Sequence, residues 1–192
     1  MRALGPGIAA AALLSACATA SAPPTSGAST DTALSPAARL ALDLAAADAA
    51  FAAGETKRLA ATLPRIEGRN PRPLDTDAPD PVVAWRAALP GAPPPLRGRA
   101  LGPGYVRGTL AAGAATRMDQ LFLSGQAATI AASSTPQQAM RLRIFDAAGA
   151  LVCDRAPAHA RDCRFTPVFT QRYRIELSNG GAKSARYYLV VD

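Results

Sequence analysis

Cys153, His159 and Cys163 place two thiols and an imidazole within one short stretch. Such a stretch can hold a disulfide, a metal ion or free thiols. Three ligands without a fourth make a poor structural zinc site, which closes on four. An even cysteine pair in an exported chain instead reads as a disulfide. Closing so short a loop adds about 2–3 kcal/mol of stability. His159 is the only histidine, so a Ser-His-Asp arrangement would have to use it. It lies in an Ala-rich loop, and the chain has no Gly-x-Ser-x-Gly elbow, no phosphate-cradling glycine loop and no nucleotide fingerprint. The expectation is a protein without catalytic residues, metal or cofactor.

A second set is basic. Leu142 and Ile144 alternate with Arg141 and Arg143, and Tyr173, Ile175 and Leu177 alternate with Arg172 and Arg174. In a strand, successive side chains point to opposite faces. With the apolar residues inside, all four arginines face out. If the two strands are neighbours in one sheet, as immunoglobulin-like connectivity would make them, four guanidinium groups share a face, and Arg186 extends it. Guanidinium groups suit phosphate or carboxylate. The plain alternative is a solvated sheet face, with Asp146, Glu176 and Asp192 offsetting some of the charge.

The third set lies at the amino terminus. Arg2 is a minimal positive region, and Ala3 to Leu14 is an apolar run too short to span a bilayer. The run ends in Leu14-Ser15-Ala16-Cys17. That sequence resembles the lipobox of bacterial lipoproteins. The resemblance implies cleavage before Cys17 and acylation of its thiol and of the new amino terminus. Two or more chains are what stable anchoring needs. Ala18 after the cysteine implies, by the same resemblance, sorting to the outer membrane. Ordinary cleavage after Ala20 or Ala22 also fits, and would release a soluble periplasmic or secreted form.

The chain carries a net charge of +7, and Arg outnumbers Lys heavily among its 21 basic residues. Export argues against nucleic acid as partner and leaves an anionic envelope surface, or a plain bias toward Arg, Ala and Pro.

Five segments position these groups: a signal peptide over 1–16, a flexible tether over 17–34, a helical segment over 35–63, a Pro-rich linker over 64–104, and a β-sandwich over 105–192. Ser35-Pro36 starts a helix as N-cap and first position. Leu40, Leu44, Ala47 and Phe51 give it one apolar stripe, which either packs on the C-terminal domain or docks a partner. A second helix runs from Glu55 and stops at Leu63, before Pro64. Phe51, Gly54 and Leu59 resemble half a tetratricopeptide-type hairpin. Prolines exclude regular structure over most of 64–104, except for a short helix from Val82 to Leu89 capped by Asp80-Pro81. It holds the only tryptophan, Trp85, either an anchor onto the core or a binding hot spot. Beyond Tyr105, eight short apolar-alternating stretches separated by Gly, Pro, Asn and Ser predict a mainly β protein, an eight-stranded antiparallel sandwich of jelly-roll or immunoglobulin-like type.

Gly108-Thr109-Leu110, Phe122-Leu123 with Gly125-Gln126, Leu142 to Asp146 with Gly149, Phe165-Thr166-Pro167, Tyr173-Arg174-Ile175 with Asn179, and Tyr187 to Val191 follow one another in an order that resembles the bacterial pre-peptidase C-terminal domain. The resemblance covers 105–192. It implies a β-sandwich with an accessory, non-catalytic role in secretion, folding or adhesion. The chain departs from that family at Met140-Arg141-Leu142-Arg143, where the family's strand is often acidic.

Together these readings predict a membrane-anchored envelope lipoprotein whose sandwich binds a partner protein or an anionic lipid or glycolipid surface. The alternative is a structural or secretion-accessory module without its own ligand. A hydrolase is the third reading.

Overall fold

The computed structural model describes residues 34–89, 91, 102–156 and 162–192. Cys17 and His159, with the expected signal peptide, nearly all of the expected tether and linker residues 90 and 92–101, lie outside the described residues. Residues Ala33–Asp192 form one compact unit.

Three helices come first. α1 spans Pro36–Ala52, and its N-cap Ser35 accepts a hydrogen bond from the Ala38 N–H at 3.0 Å. α2 spans Thr56–Glu67, after a turn in which Gly54 takes φ +67°. It does not stop at Leu63 as expected. Pro64 sits exposed inside the helix while Ile66, the penultimate residue of the helix, is fully buried. Beyond the proline, Arg65 and Arg69 both pair with Asp43 of α1 at 2.9 Å. Tertiary packing and two ion pairs outweigh the lost backbone hydrogen bond. α3 spans Pro81–Ala87, capped by Asp80, whose side chain accepts from the Val82 N–H.

Nine strands follow among the described residues: β1 (Arg72–Pro73), β2 (Gly104–Leu110), β3 (Ala115–Phe122), β4 (Ala128–Thr135), β5 (Met140–Phe145), β6 (Leu151–Arg155), β7 (Asp162–Phe165), β8 (Gln171–Asn179) and β9 (Ala185–Val191). β2 to β9 match the eight expected stretches. β1 corrects the reading of the linker as irregular around Pro73. It is an edge strand, parallel to β2, in which Arg72 N–H bonds Pro103 and Leu74 N–H bonds Tyr105. Pro73 falls between these donors, where its missing N–H costs the ladder nothing.

The strands form two sheets, ordered β1-β2-β9-β4-β7 and β3-β8-β5-β6. Leu110, Ile130 and Leu189 of the first meet Leu142, Ile144, Ile175 and Leu177 of the second in one buried core. A second core lies on the other face of the five-stranded sheet. There Tyr105, Ala131, Tyr188 and Val190 meet Leu40, Leu44, Leu59, Leu63, Ile66 and Trp85. The molecule therefore has three layers: helices, five-stranded sheet, four-stranded sheet. The face of α1 toward β4 and β9 is largely alanine, with Ala37, Ala38, Ala41 and Ala47 fully buried. Small side chains let the helix backbone approach the sheet closely. The alanines that look like compositional bias in the sequence are a packing surface. Thr135 pins the contact by donating its hydroxyl to the Ala45 carbonyl at 3.0 Å. Trp85 is 1% exposed and packs on Tyr188 with ring centroids 6.3 Å apart, which settles it as an anchor.

The Cys153–Cys163 disulfide is formed, with Cα atoms 6.0 Å apart. It joins β6, at one edge of the four-stranded sheet, to β7, at one edge of the five-stranded sheet. At the far end of the sandwich, buried Asn179 donates to the carbonyls of Leu110, Ala111 and Lys183 and accepts from the Gly181 N–H. One side chain thereby ties three chain segments. Gly108 is required by contact: a Cβ there would lie 2.7 Å from the Tyr187 ring.

Candidate functional site

The four-stranded sheet has one face in the sandwich core and one face outward. The antiparallel register of β3-β8-β5 fixes what the outward face carries. Arg117 stands opposite Glu176 and Glu176 opposite Arg143; one pair of rows along, Asp119 stands opposite Arg174 and Arg174 opposite Phe145; at the end, Leu121 stands opposite Arg172. Arg143 also stands opposite Asp154 of β6.

This face brings together the four arginines picked out by alternation, and divides them. Arg143 and Arg117 both ion-pair with Glu176, the latter at 2.8 Å. Glu176 is buried beneath them. The hydrogen bond from Arg117, reinforced by Arg143, holds its carboxyl below the usual carboxylate range against the opposing effect of burial. Arg141 makes two hydrogen bonds to Asp154, at 2.9 and 2.6 Å, and they lower the Asp154 pKa. Arg141 and Arg143 are thus members of a cross-strand charge ladder. Among the described residues Arg172 and Arg174 have no ion pair. Arg174 lies over the Phe145 ring at 4.8 Å, a cation–π contact that leaves its N–H groups free.

Arg186 does not extend this face. It belongs to β9 in the other sheet and pairs with Asp48 of α1 at 2.9 Å. Asp48 is buried, and burial raises its pKa despite Arg186, the hydrogen bond from Tyr188 and the nearby Arg107. Beside it, Ala78, Arg107, Thr109, Arg186 and Tyr188 line an open cleft of about 220 Å³. Its two arginines are already engaged, Arg186 by Asp48 and Arg107 by the Pro79 carbonyl at 3.0 Å. The cleft is a structural seam between the linker at Ala78 and strands β2 and β9.

Sequence reasoning missed two features. Arg117 and Asp154 are visible only once strand order and register are known. The other is a loop tip. Val168 and Phe169, between β7 and β8, are 74% and 70% exposed, and Leu121 and Leu123 beside them are about half exposed. Two adjacent apolar residues after Pro167 were the available signal. Among the described residues no group of His, Cys, Asp and Glu could hold a metal ion, and no helix is long and apolar enough to cross a membrane.

The fold and face define a mainly β module of two sheets with an added helical layer. No family model matches the chain, and no curated protein does either. Among solved structures it is similar to the pre-peptidase C-terminal domain of collagenase from Bacillus anthracis, with 13% identity over 46% of this chain and 87% of that one, at a TM-score of 0.41. It is also similar to PliG, a periplasmic inhibitor of g-type lysozyme. For the Aeromonas hydrophila protein the identity is 10%, over 47% and 84% of the two chains, at a TM-score of 0.38. For that of Salmonella Typhimurium it is 8%, over 50% and 90%, at 0.35. Lysozyme inhibition is a property of those two proteins.

Proposed function

We propose that this chain is a non-catalytic lipoprotein of the bacterial envelope. In this reading Cys17 carries the lipid anchor, the anchor holds the chain at the outer membrane facing the periplasm, and the sandwich binds an anionic surface through the outer face of β3-β8-β5-β6. The observation that carries the reading is the pair Arg172 and Arg174: two exposed guanidinium groups on one strand, without ion pairs among the described residues, on the sheet face that the helices leave uncovered. A second reading, a structural or secretion-accessory module without a ligand, draws on the Arg117–Glu176–Arg143 ladder, which satisfies half of the face internally.

The test is the partition of the full chain between neutral phosphatidylcholine vesicles and vesicles containing phosphatidylglycerol. A lipid anchor contributes equally to both, so the preference reports the protein surface. Two arginines near an anionic surface contribute a preference of roughly tenfold to thirtyfold at low salt. The variant R172Q/R174Q, or moderate salt, should abolish it. A preference that survives both would sink the reading.

A further inference from the structure

We propose that the Val168–Phe169 tip is a wedge that enters an anionic phospholipid bilayer while Arg172 and Arg174 engage its phosphates. The inference rests on the reading of the outer sheet face as an anion-binding surface, and adds to it a mode of attachment.

The tip is held outward by its own hydrogen bonds. The Ser124 hydroxyl donates to the Val168 carbonyl at 2.6 Å, the Ser124 N–H donates to the Thr170 hydroxyl at 3.0 Å, and the Gly125 N–H donates to the Pro167 carbonyl at 2.9 Å. Gly125 takes φ +73°, the left-handed conformation this turn needs. The interior at this end is already filled. Phe122, Phe165 and Tyr173 form a closed aromatic triangle with centroids 5.0–5.7 Å apart. Phe169 therefore has no vacancy to fold into. Pro167, immediately before Val168, is buried and fixes the base of the tip.

The surroundings point to lipid. Leu121 of β3 and Leu123 just beyond its end widen the apolar surface. Arg172 faces outward opposite Leu121, and Arg174 follows two residues along the same face. Residues 121–125 and 166–172 contain no acidic side chain. A convex apolar point backed by unpaired guanidinium groups matches a membrane interface, where acyl chains take the apolar side chains and phosphates take the cations. A bilayer needs no shape-matched pocket to receive it. A protein partner would.

The experiment uses the full chain in phosphatidylglycerol-containing vesicles, with Phe169→Trp as a depth probe. The native Trp85 is buried between α3 and β9 and serves as an unquenched internal reference. Lipids brominated along the acyl chain should quench the new tryptophan and shift its emission to the blue. The double variant V168S/F169S, at exposed positions that leave both cores intact, should lower partition into these vesicles by roughly tenfold to a hundredfold. An unquenched Phe169→Trp on vesicle-bound protein, or a V168S/F169S variant that partitions like the wild type, overturns the wedge. If R172Q/R174Q still removes the preference in that case, the anion-binding face stands without it. If the wedge variants behave as expected and R172Q/R174Q changes nothing, the arginine part fails. A wild-type chain with no preference between the two kinds of vesicle overturns both, as it would if a protein occupies the tip.

Discussion

The two sheets of this molecule are covered differently. The five-stranded sheet is covered on both faces, by α1 and its neighbours on one side and by the sandwich core on the other. Its central strand β9 is correspondingly apolar almost throughout, from Tyr187 to Val191. The four-stranded sheet is covered on one face only, and β5 and β8 alternate between apolar residues inside and mostly charged residues outside. On the proposed reading, the difference gives stability to the first sheet and anion binding to the outer face of the second. Substitutions should therefore separate folding from binding according to the sheet they fall on.

The largest stability effect is expected from Trp85→Ala. It removes a fully buried indole from the layer between α3 and β9 and should cost about 3–5 kcal/mol, measured by denaturant unfolding. If the loss is below about 1 kcal/mol, the helical layer is a loose addition and the contrast between the sheets collapses. Replacing both Cys153 and Cys163 by Ser comes next. The bridge closes a short loop between the two sheets, so its loss should cost about 3 kcal/mol. Comparing the unfolding midpoint of this variant with and without reductant checks that the bridge is the cause.

Glu176→Gln should have a smaller effect, about 0.5–1 kcal/mol, because its partners are partly solvated. Its signature is in the pH dependence. The folded-state pKa of Glu176 lies below its ordinary value, so its contribution is present above that ordinary value and is lost as pH falls through the depressed one. The variant should flatten that part of the acid limb. An unchanged acid limb would mean the ladder contributes no stability, and would return the outer face wholly to binding. R172Q/R174Q marks the bottom of the scale: a stability change within about 0.5 kcal/mol, alongside the loss of vesicle preference already described.

How much of this was legible in the sequence follows from what each signal measures. Period-two alternation marked the strands from Tyr105 onward and correctly turned Arg141, Arg143, Arg172 and Arg174 outward. Alternation says nothing about the neighbouring strand, so the neutralising partners Asp154 and Glu176, and the fifth arginine Arg117, depended on register. In β9, Tyr187, Leu189 and Val191 recur at strand spacing, yet Tyr188 and Val190 between them are also buried, against the helices. A strand enclosed on both sides has no polar face to set its phase. Pro64 and Pro73 misled for the opposite reason. Proline is a strong local stop, but Ile66 and the two arginines on Asp43 carried the helix past the first. The second fell where β1 needed no donor.

The covalent tie between β6 and β7 also bears on how these molecules behave in company. Those two strands are the free margins of their sheets on one side, and each would otherwise offer a row of unpaired backbone groups to another molecule. Fastened together, they offer neighbouring chains little to extend. On the opposite side, β1 is two residues long and half proline, and β3 carries Arg117 and Asp119 along its margin. An oxidised population should therefore stay dispersed when crowded, and reduction would leave β6 and β7 guarded only by Asp154, Arg155, Asp162 and Arg164.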